Sequence, residues 1–368
     1  MKPSLKALTE LSNRYGYGNQ YTIGSSGNTS YKENGILYVK PSGTQLATLQ
    51  ENEFISLEIS TVLSILQNEY SQEDILRERQ TCDDMYAAVL PENGDTGIYP
   101  SIESVMHAMF PQRYVMHLHP VLANALNCSP NGAQTCKDLF GDWVLWIPFA
   151  TPGYSLAQTC FSSLSEYKSE TGRDANFLIM EHHGMLVAAD TTDEINRMMT
   201  EITKKLQSCI VRIPDLDAIP SKEDASLTAA TLHNLYERHV GSCFIEHIAN
   251  SEALLRAKNA ESASILRFPL TLDHIMQYHG SILYIEKGAN LISSFDAFVE
   301  ENGYAPKIVL VQDLGFYALG ASKKDAVFSS EVFLNALSIV AYAESFGGST
   351  PLPEDAIELI LNRIMSTT

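Results

Sequence analysis

The 368 residues contain no Cys-x-x-Cys pair, no P-loop, no G-x-G-x-x-G and only two tryptophans. Cations are scarce as well: 25 lysines and arginines stand against 44 aspartates and glutamates, a formal net charge of −19. Such a surface repels polyanions, so neither nucleic acid nor an anionic membrane is an expected partner. A small anionic substrate stays open, because a metal ion or converging backbone N–H groups can supply local positive potential. The missing dinucleotide fingerprint argues against nicotinamide chemistry. The six cysteines (Cys82, Cys128, Cys136, Cys160, Cys209 and Cys243) are scattered. In a chain of this size they read as reduced thiols of a cytoplasmic protein. No apolar run approaches the roughly 20 residues that span a bilayer. Met1–Lys6 carries cations with no apolar segment behind them, so no signal peptide is expected.

What is present is the composition of a globular protein, 45% hydrophobic, and a length that suits one large domain or two ordinary ones. Short apolar strands are expected at Ile36–Val39, Phe54–Leu57 and Phe177–Met180, and a helix at 101–110. Gly184–Ala188 either continues the last of these strands or pairs with it. Ser155 is expected to cap a helix that starts at Leu156. Thr191 and Glu194 have capping-box spacing, with Ile195, Met198, Ile202 and Leu206 at helical intervals behind them. A polar break from Arg212 to Ser226, holding Pro214 and Pro220, places a domain boundary between residues 1–212 and 225–368. The second part shows strands near 282–285, 308–311 and 316–319, a long apolar helix near 324–345 and a short one near 353–365. No internal repeat is visible in the sequence.

The chemistry concentrates in Val115-Met116-His117-Leu118-His119-Pro120. Alternate residues of a strand point to one face, so His117 and His119 aim their imidazoles together. A further pair, His182-His183, precedes Gly184 after an apolar strand; adjacent residues point opposite ways, and His183 beside the glycine is the chosen third ligand. Three imidazoles with an open position is the pattern of a catalytic rather than a structural zinc. The bland reading, a satisfied core or surface histidine, is applied to His107, His233, His239, His247 and His279. Glu103 alone would be a carboxylate favoured at a helix N-terminus; with the histidines it becomes a candidate base or ligand. Gly24-Ser25-Ser26-Gly27-Asn28-Thr29-Ser30 and Ser42-Gly43-Thr44 could offer donors to a phosphate, although each alone reads as an ordinary turn. Lys40 could add positive charge there, although a lysine is most often simply solvated.

Taken together, six ordered blocks resemble the class II aldolase/adducin family: Gly27-Asn28-Thr29-Ser30, Val39-Lys40-Pro41-Ser42-Gly43, Pro100-Ser101-Ile102-Glu103, His117-Leu118-His119-Pro120, Pro152-Gly153-Tyr154-Ser155-Leu156-Ala157 and His183-Gly184. Within it the chain is most similar to the aldolase part of bifunctional rhamnulose-1-phosphate aldolase/lactaldehyde dehydrogenases, through Ser12–Gly16, Pro100–Ala108, Trp146–Phe149, Pro269–His274, Pro306–Val311 and Gly320–Ala326. The resemblance implies an α/β fold, an α/β/α sandwich around a mostly antiparallel sheet, with a smaller C-terminal α/β domain of unknown role. It implies Zn²⁺ on His117, His119 and His183, and Glu103 as the acid/base. It implies a substrate phosphate on Asn28, Thr29, Ser42, Gly43 and Ser101. The implied reaction splits a ketose 1-phosphate into dihydroxyacetone phosphate and an aldehyde. Glu103 would then need a pKa raised toward neutrality. A tyrosine, often from a neighbouring subunit, would act as second acid in a homo-oligomer, a tetramer.

Two departures bear on the substrate. Ile102 stands where sugar-phosphate aldolases of the family carry a second Ser, and Thr151 where the bifunctional branch tends to carry Arg. A sugar-phosphate epimerase or a dehydratase on the same scaffold is the first alternative. Glu103 disfavours the epimerase, which carries Asp there, but not the dehydratase. A non-enzymatic adducin-like module is the second, and the retained histidines speak against it.

Overall fold

The computed structural model describes residues 3–91, 97 and 99–367. The chain divides into two units, Met1–Asn127 with Asn131–Cys209, and Cys128–Pro130 with Ile210–Thr368.

The first unit opens with α1 (Pro3–Gly16), then the strands β1 (Asn28–Glu33), β2 (Ile36–Val39) and β3 (Ile55–Glu58). Three helices follow, α2 (Ile59–Ser64), α3 (Asp74–Ala87) and α4 (Ser104–Met109), and then β4 (Tyr114–Leu118). Beyond it come α5 (Val121–Asn127), α6 (Gly132–Phe140), β5 (Leu145–Ile147), α7 (Tyr154–Thr171), β6 (Phe177–Met180), β7 (Gly184–Ala189) and α8 (Thr192–Ser208). The seven strands run in the order β3-β2-β1-β4-β7-β6-β5. Every neighbouring pair is antiparallel except β5–β6. Successive residues of each strand point to opposite faces of the sheet, and both faces are covered. Val115, Leu178, Leu186 and Ala188 pack with Met106 of α4 and Leu156 of α7, while α1, α5 and α8 lie against β1, β4 and β7. The α/β architecture with a mostly antiparallel central sheet and a smaller second α/β part is as expected from the sequence.

Local details correct the reading at two points, and decide between the two alternatives for Gly184–Ala188. α7 starts at Tyr154 rather than Leu156, and its first N–H is met by Glu78, whose carboxylate accepts from Tyr154 N at 3.2 Å. Thr191 does cap α8, accepting from Glu194 N, but Met199 rather than Met198 faces the core. Gly184–Ala189 is the antiparallel partner of β6, turning back through residues 181–183.

The second unit contains α9 (Asp224–Val240), β8 (Phe244–Ile248), α10 (Ser251–Arg256), α11 (Ala260–Ser264) and α12 (Leu272–Tyr278). It continues with β9 (Leu283–Ile285), α13 (Leu291–Asn302), β10 (Ile308–Val311), β11 (Gly315–Gly320), α14 (Lys323–Ala343) and α15 (Glu354–Thr367). Its sheet runs β8-β11-β10-β9. β8 was not foreseen, because Glu246 and His247 interrupt its apolar character. With its following turn, α14 is long and apolar enough by length and composition to cross a bilayer, contrary to the sequence reading. It is 67% buried and packs on β8 and β11, the position of a core helix. The second sheet has the strand order and directions of β4-β7-β6-β5 in the first.

Candidate metal centre

β1 and β4 pair so that Asn28 lies opposite His117 and Thr29 opposite Met116. The pleat then sends Asn28, His117 and His119 to the face covered by α4 and α7. Glu103 ends the turn that leads into α4 on this same face. His183 arrives from the β6–β7 turn. There His182 takes a left-handed backbone, φ 56°, so the two adjacent histidines part. His182 packs edge-on against Phe149 and His183 enters the site. Gly184 makes the approach possible: a Cβ there would sit 2.4 Å from Leu118 O and 2.7 Å from His119 Cδ2.

Three ring nitrogens converge. Nε2 of His117 lies 3.0 Å from Nε2 of His119 and 3.2 Å from Nε2 of His183. All three side chains are buried, and their ligand atoms fall within 4.8 Å of one another. His117 Nδ1 sits 3.0 Å from Met185 O. A carbonyl only accepts, so the proton is on Nδ1 and the lone pair of Nε2 points at the other two rings. One proton could satisfy only one of those contacts; one cation satisfies all three. Nitrogens sharing a tetrahedral zinc at about 2.0–2.1 Å stand roughly 3.3 Å apart, close to the spacing of the two pairs that include His117. The Nδ1–carbonyl bond is the kind of outer contact that orients a metal-bound imidazole. The donor set therefore fits a metal ion.

Glu103 completes the cluster. Its Oε1 is 3.0 Å from His183 Nε2, and its Oε2 accepts from Asn28 Nδ2 at 2.6 Å. Burial alone would raise this carboxyl, but the imidazoles of His117, His183 and His119 outweigh it and hold the group well below the usual carboxylate range. Burial pushes His117 well below the ordinary imidazole value, although Glu103 pulls the other way.

The phosphate candidates divide. The isolated bridge between Pro41 and Pro100, with Ser42 N donating to Tyr99 O at 2.8 Å, brings Ser42-Gly43 beside Ser101 and the Glu103 turn. Gly43 has open space around it and φ 76°, and Ser101 Oγ accepts from Glu103 N at 3.2 Å. Asn28 reaches the site, but as the partner of Glu103. Thr29 is not brought there. Its side chain points to the opposite face, where Oγ1 meets Ser12 Oγ at 2.7 Å, because neighbours in a strand alternate. Ile102 packs against the apolar cluster that includes Val105 and Ala108.

Lys40, which the sequence offers as a charge that is more often solvated, is buried. It is 1% exposed, and its ammonium donates to Ser25 O, Pro41 O and Thr44 O at 3.1, 3.2 and 2.7 Å. One charge thus ties together the two hydroxyl-rich turns. Burial pushes it down to about 8, with the Glu103 carboxylate opposing. Its place between two Gly/Ser turns was the only signal in the sequence.

Residues 7–210 match the family described as Class II Aldolase and Adducin N-terminal domain, and the chain belongs to that family. Its enzymes are in general metal-dependent, and the histidine cluster supplies the donors to bind a metal. The chain is similar over 215 residues, at 24% identity, to a Bacillus subtilis protein named "Uncharacterized oxidoreductase YuxG". That match covers 56% of the chain and only 29% of the relative's length. Among solved structures, the N-terminal class II aldolase domain of a conserved Thermoplasma acidophilum protein is 20% identical, with TM-score 0.47, covering 56% of this chain and 94% of that one. An l-fuculose-1-phosphate aldolase from Thermus thermophilus is 17% identical, with TM-score 0.34, covering 56% and 94%.

Proposed function

We propose that this chain is a zinc-dependent aldolase that cleaves a ketose 1-phosphate, of the rhamnulose 1-phosphate kind, into dihydroxyacetone phosphate and an aldehyde. The observation that carries the reading is the convergence of three neutral-capable Nε2 atoms beside an ionised carboxylate. Zinc held by His117, His119 and His183 would supply Lewis-acid polarisation of the substrate's carbonyl and adjacent hydroxyl.

The chain's own groups divide the remaining work. Cleavage removes a proton from the hydroxyl on the carbon that becomes the aldehyde, and returns one to the carbon that becomes part of dihydroxyacetone phosphate. Glu103 is the proton carrier at that second carbon, and Asn28 holds its Oε2 while Oε1 lies beside His183. Ser42, Gly43 and Ser101 meet the phosphate, with the Lys40 ammonium beneath the turn adding positive potential. Ile102 contributes no hydroxyl, so anchoring relies on fewer donors than a Ser-Ser pair would offer. A tyrosine of a neighbouring subunit handles the hydroxyl proton, which makes the working form a homo-oligomer, a tetramer in this reading.

The test is to load purified protein with Zn²⁺, supply a panel of ketose 1-phosphates and measure dihydroxyacetone phosphate, with His119→Ala as control. Release from rhamnulose 1-phosphate by wild type alone is the expected result. Epimers or dehydration products in place of dihydroxyacetone phosphate would redirect the reading to the other reactions of this scaffold, and silence with a loaded metal would end it.

A further inference from the structure

The second sheet reproduces the metal-bearing half of the first at the level of single residues. β8-β11-β10-β9 matches β4-β7-β6-β5 in order, and both series pair antiparallel, antiparallel, then parallel. Placing Gly315 on Gly184 sets Ile308–Gly320 over Phe177–Ala189. The register then puts His247 on His117, since Tyr317 faces His247 as Leu186 faces His117.

Details that strand order does not require agree as well. Ala188 N donates to Asn176 O at 2.9 Å, and Leu319 N to Lys307 O at 2.7 Å. Glu181 N donates to Ile147 O while its Oε2 accepts from Phe149 N at 2.8 Å. Gln312 N donates to Ile285 O while its Oε1 accepts from Lys287 N at 2.9 Å. His182 and Asp313 share the left-handed turn position, φ 56° and 65°. A Cβ on Gly184 would lie 2.4 Å from Leu118 O, and one on Gly315 would lie 2.3 Å from Ile248 O, the corresponding carbonyl. Thr191 caps α8 through Glu194 N, and Ser322 caps α14 through Asp325 N. Across these two hairpins the glycine is the single residue in common, so the shared backbone bonds are not a by-product of shared side chains.

We propose that the second unit is a duplicate of the metal-bearing half of the first whose metal end has been dismantled, so that the chain holds one metal centre and not two. Of the three ligand positions, His117 keeps its counterpart in His247, His119 has become Ala249, and His183 has become Leu314. The surviving imidazole has been put to another use: Nε2 lies 2.9 Å from Leu314 O and Nδ1 3.1 Å from Ser221 Oγ. The turn has changed in a paired way. Where Phe149 packs on His182, the counterparts Lys287 and Asp313 form an ion pair at 3.1 Å. They line a cleft of about 270 Å³ in place of a ring cluster.

The inference rests on the reading of His117, His119 and His183 as ligands, and its test separates the two. Zn²⁺ and Co²⁺ stoichiometry is measured by elemental analysis and calorimetry on the full chain for wild type, His247→Ala, and the double variant Ala249→His with Leu314→His. The expected values are one, one and two metals per chain. A folded double variant that still binds one overturns the inference, as does a wild type that binds two and drops to one in His247→Ala. A wild type that binds none overturns the reading of the first unit, and the inference with it. Should the double variant not fold, Leu314→His alone sets a second imidazole beside His247. A metal-dependent rise in Tm, lost when His247→Ala is added, then supports the duplication, and its absence overturns it.

Discussion

The turns at Glu181–Gly184 and Gln312–Gly315 have the same backbone and opposite chemistry. Both carry a left-handed second residue and a glycine pressed against a neighbouring strand. In the first, the residue before the glycine is a histidine that meets two others; in the second it is a leucine, and the nearby histidine bonds its carbonyl instead. The fold builds the turn from backbone hydrogen bonds and one obligatory glycine, and those constraints are indifferent to the side chain in between. Activity therefore depends on residues that stability scarcely selects.

The largest break in this comparison is expected from the histidines themselves. His119→Ala should abolish metal binding and lower turnover by more than about 100-fold, whereas His247→Ala should change turnover less than about twofold. Steady-state kinetics with metal analysis on both variants checks the contrast, and equal effects would erase it. Next, Glu103→Gln should keep the metal while reducing kcat by about 10²–10⁴-fold, the range of general acid–base catalysis. A variant that instead lost its metal would make the carboxylate a ligand only.

The glycines sharpen the structural side. Gly184→Ala and Gly315→Ala each force a Cβ into a backbone carbonyl, and each should cost about 1–3 kcal/mol. Gly315→Ala carries a further strain, because φ is 99° there. Denaturant unfolding should register both losses, but only Gly184→Ala should also remove the metal.

The last effect, confined to alkaline pH, concerns Lys40. Its folded pKa is about 8 against an ordinary 10.5, so between those values the unfolded chain binds more protons and stability rises with pH. Below pH 8 the burial penalty is present in full. Lys40→Met should flatten that rise by up to about 3 kcal/mol, at roughly 1.4 kcal/mol per pKa unit. Stability curves of the two proteins from pH 7 to 11 would show it, and parallel curves would count against a buried ammonium.

Much of the centre was readable in one dimension. The alternation in Val115–His119 put two imidazoles on one face, and the glycine after His183 identified the third. The same alternation, applied to β1, would have separated Asn28 from Thr29; treating that block as a unit concealed their opposite directions. The burial of Lys40 was not legible because burial depends on what folds over a residue, and a lysine between polar turns looks like any solvated one. The repeat was hidden for a related reason. β-strand pairing is made by backbone groups that every residue carries, so two segments can share a register with one glycine in common.

By itself, the sequence determined most of the element types, the family and the three histidines, because period, turn residues and spaced imidazoles are local properties. Only the tertiary structure decided that Asn28 holds Glu103, that Lys40 lies under the turns, and that His247 stands where His117 stands. Those relations join residues far apart in the chain, and what brings them together is the packing of helices and strands around a shared core.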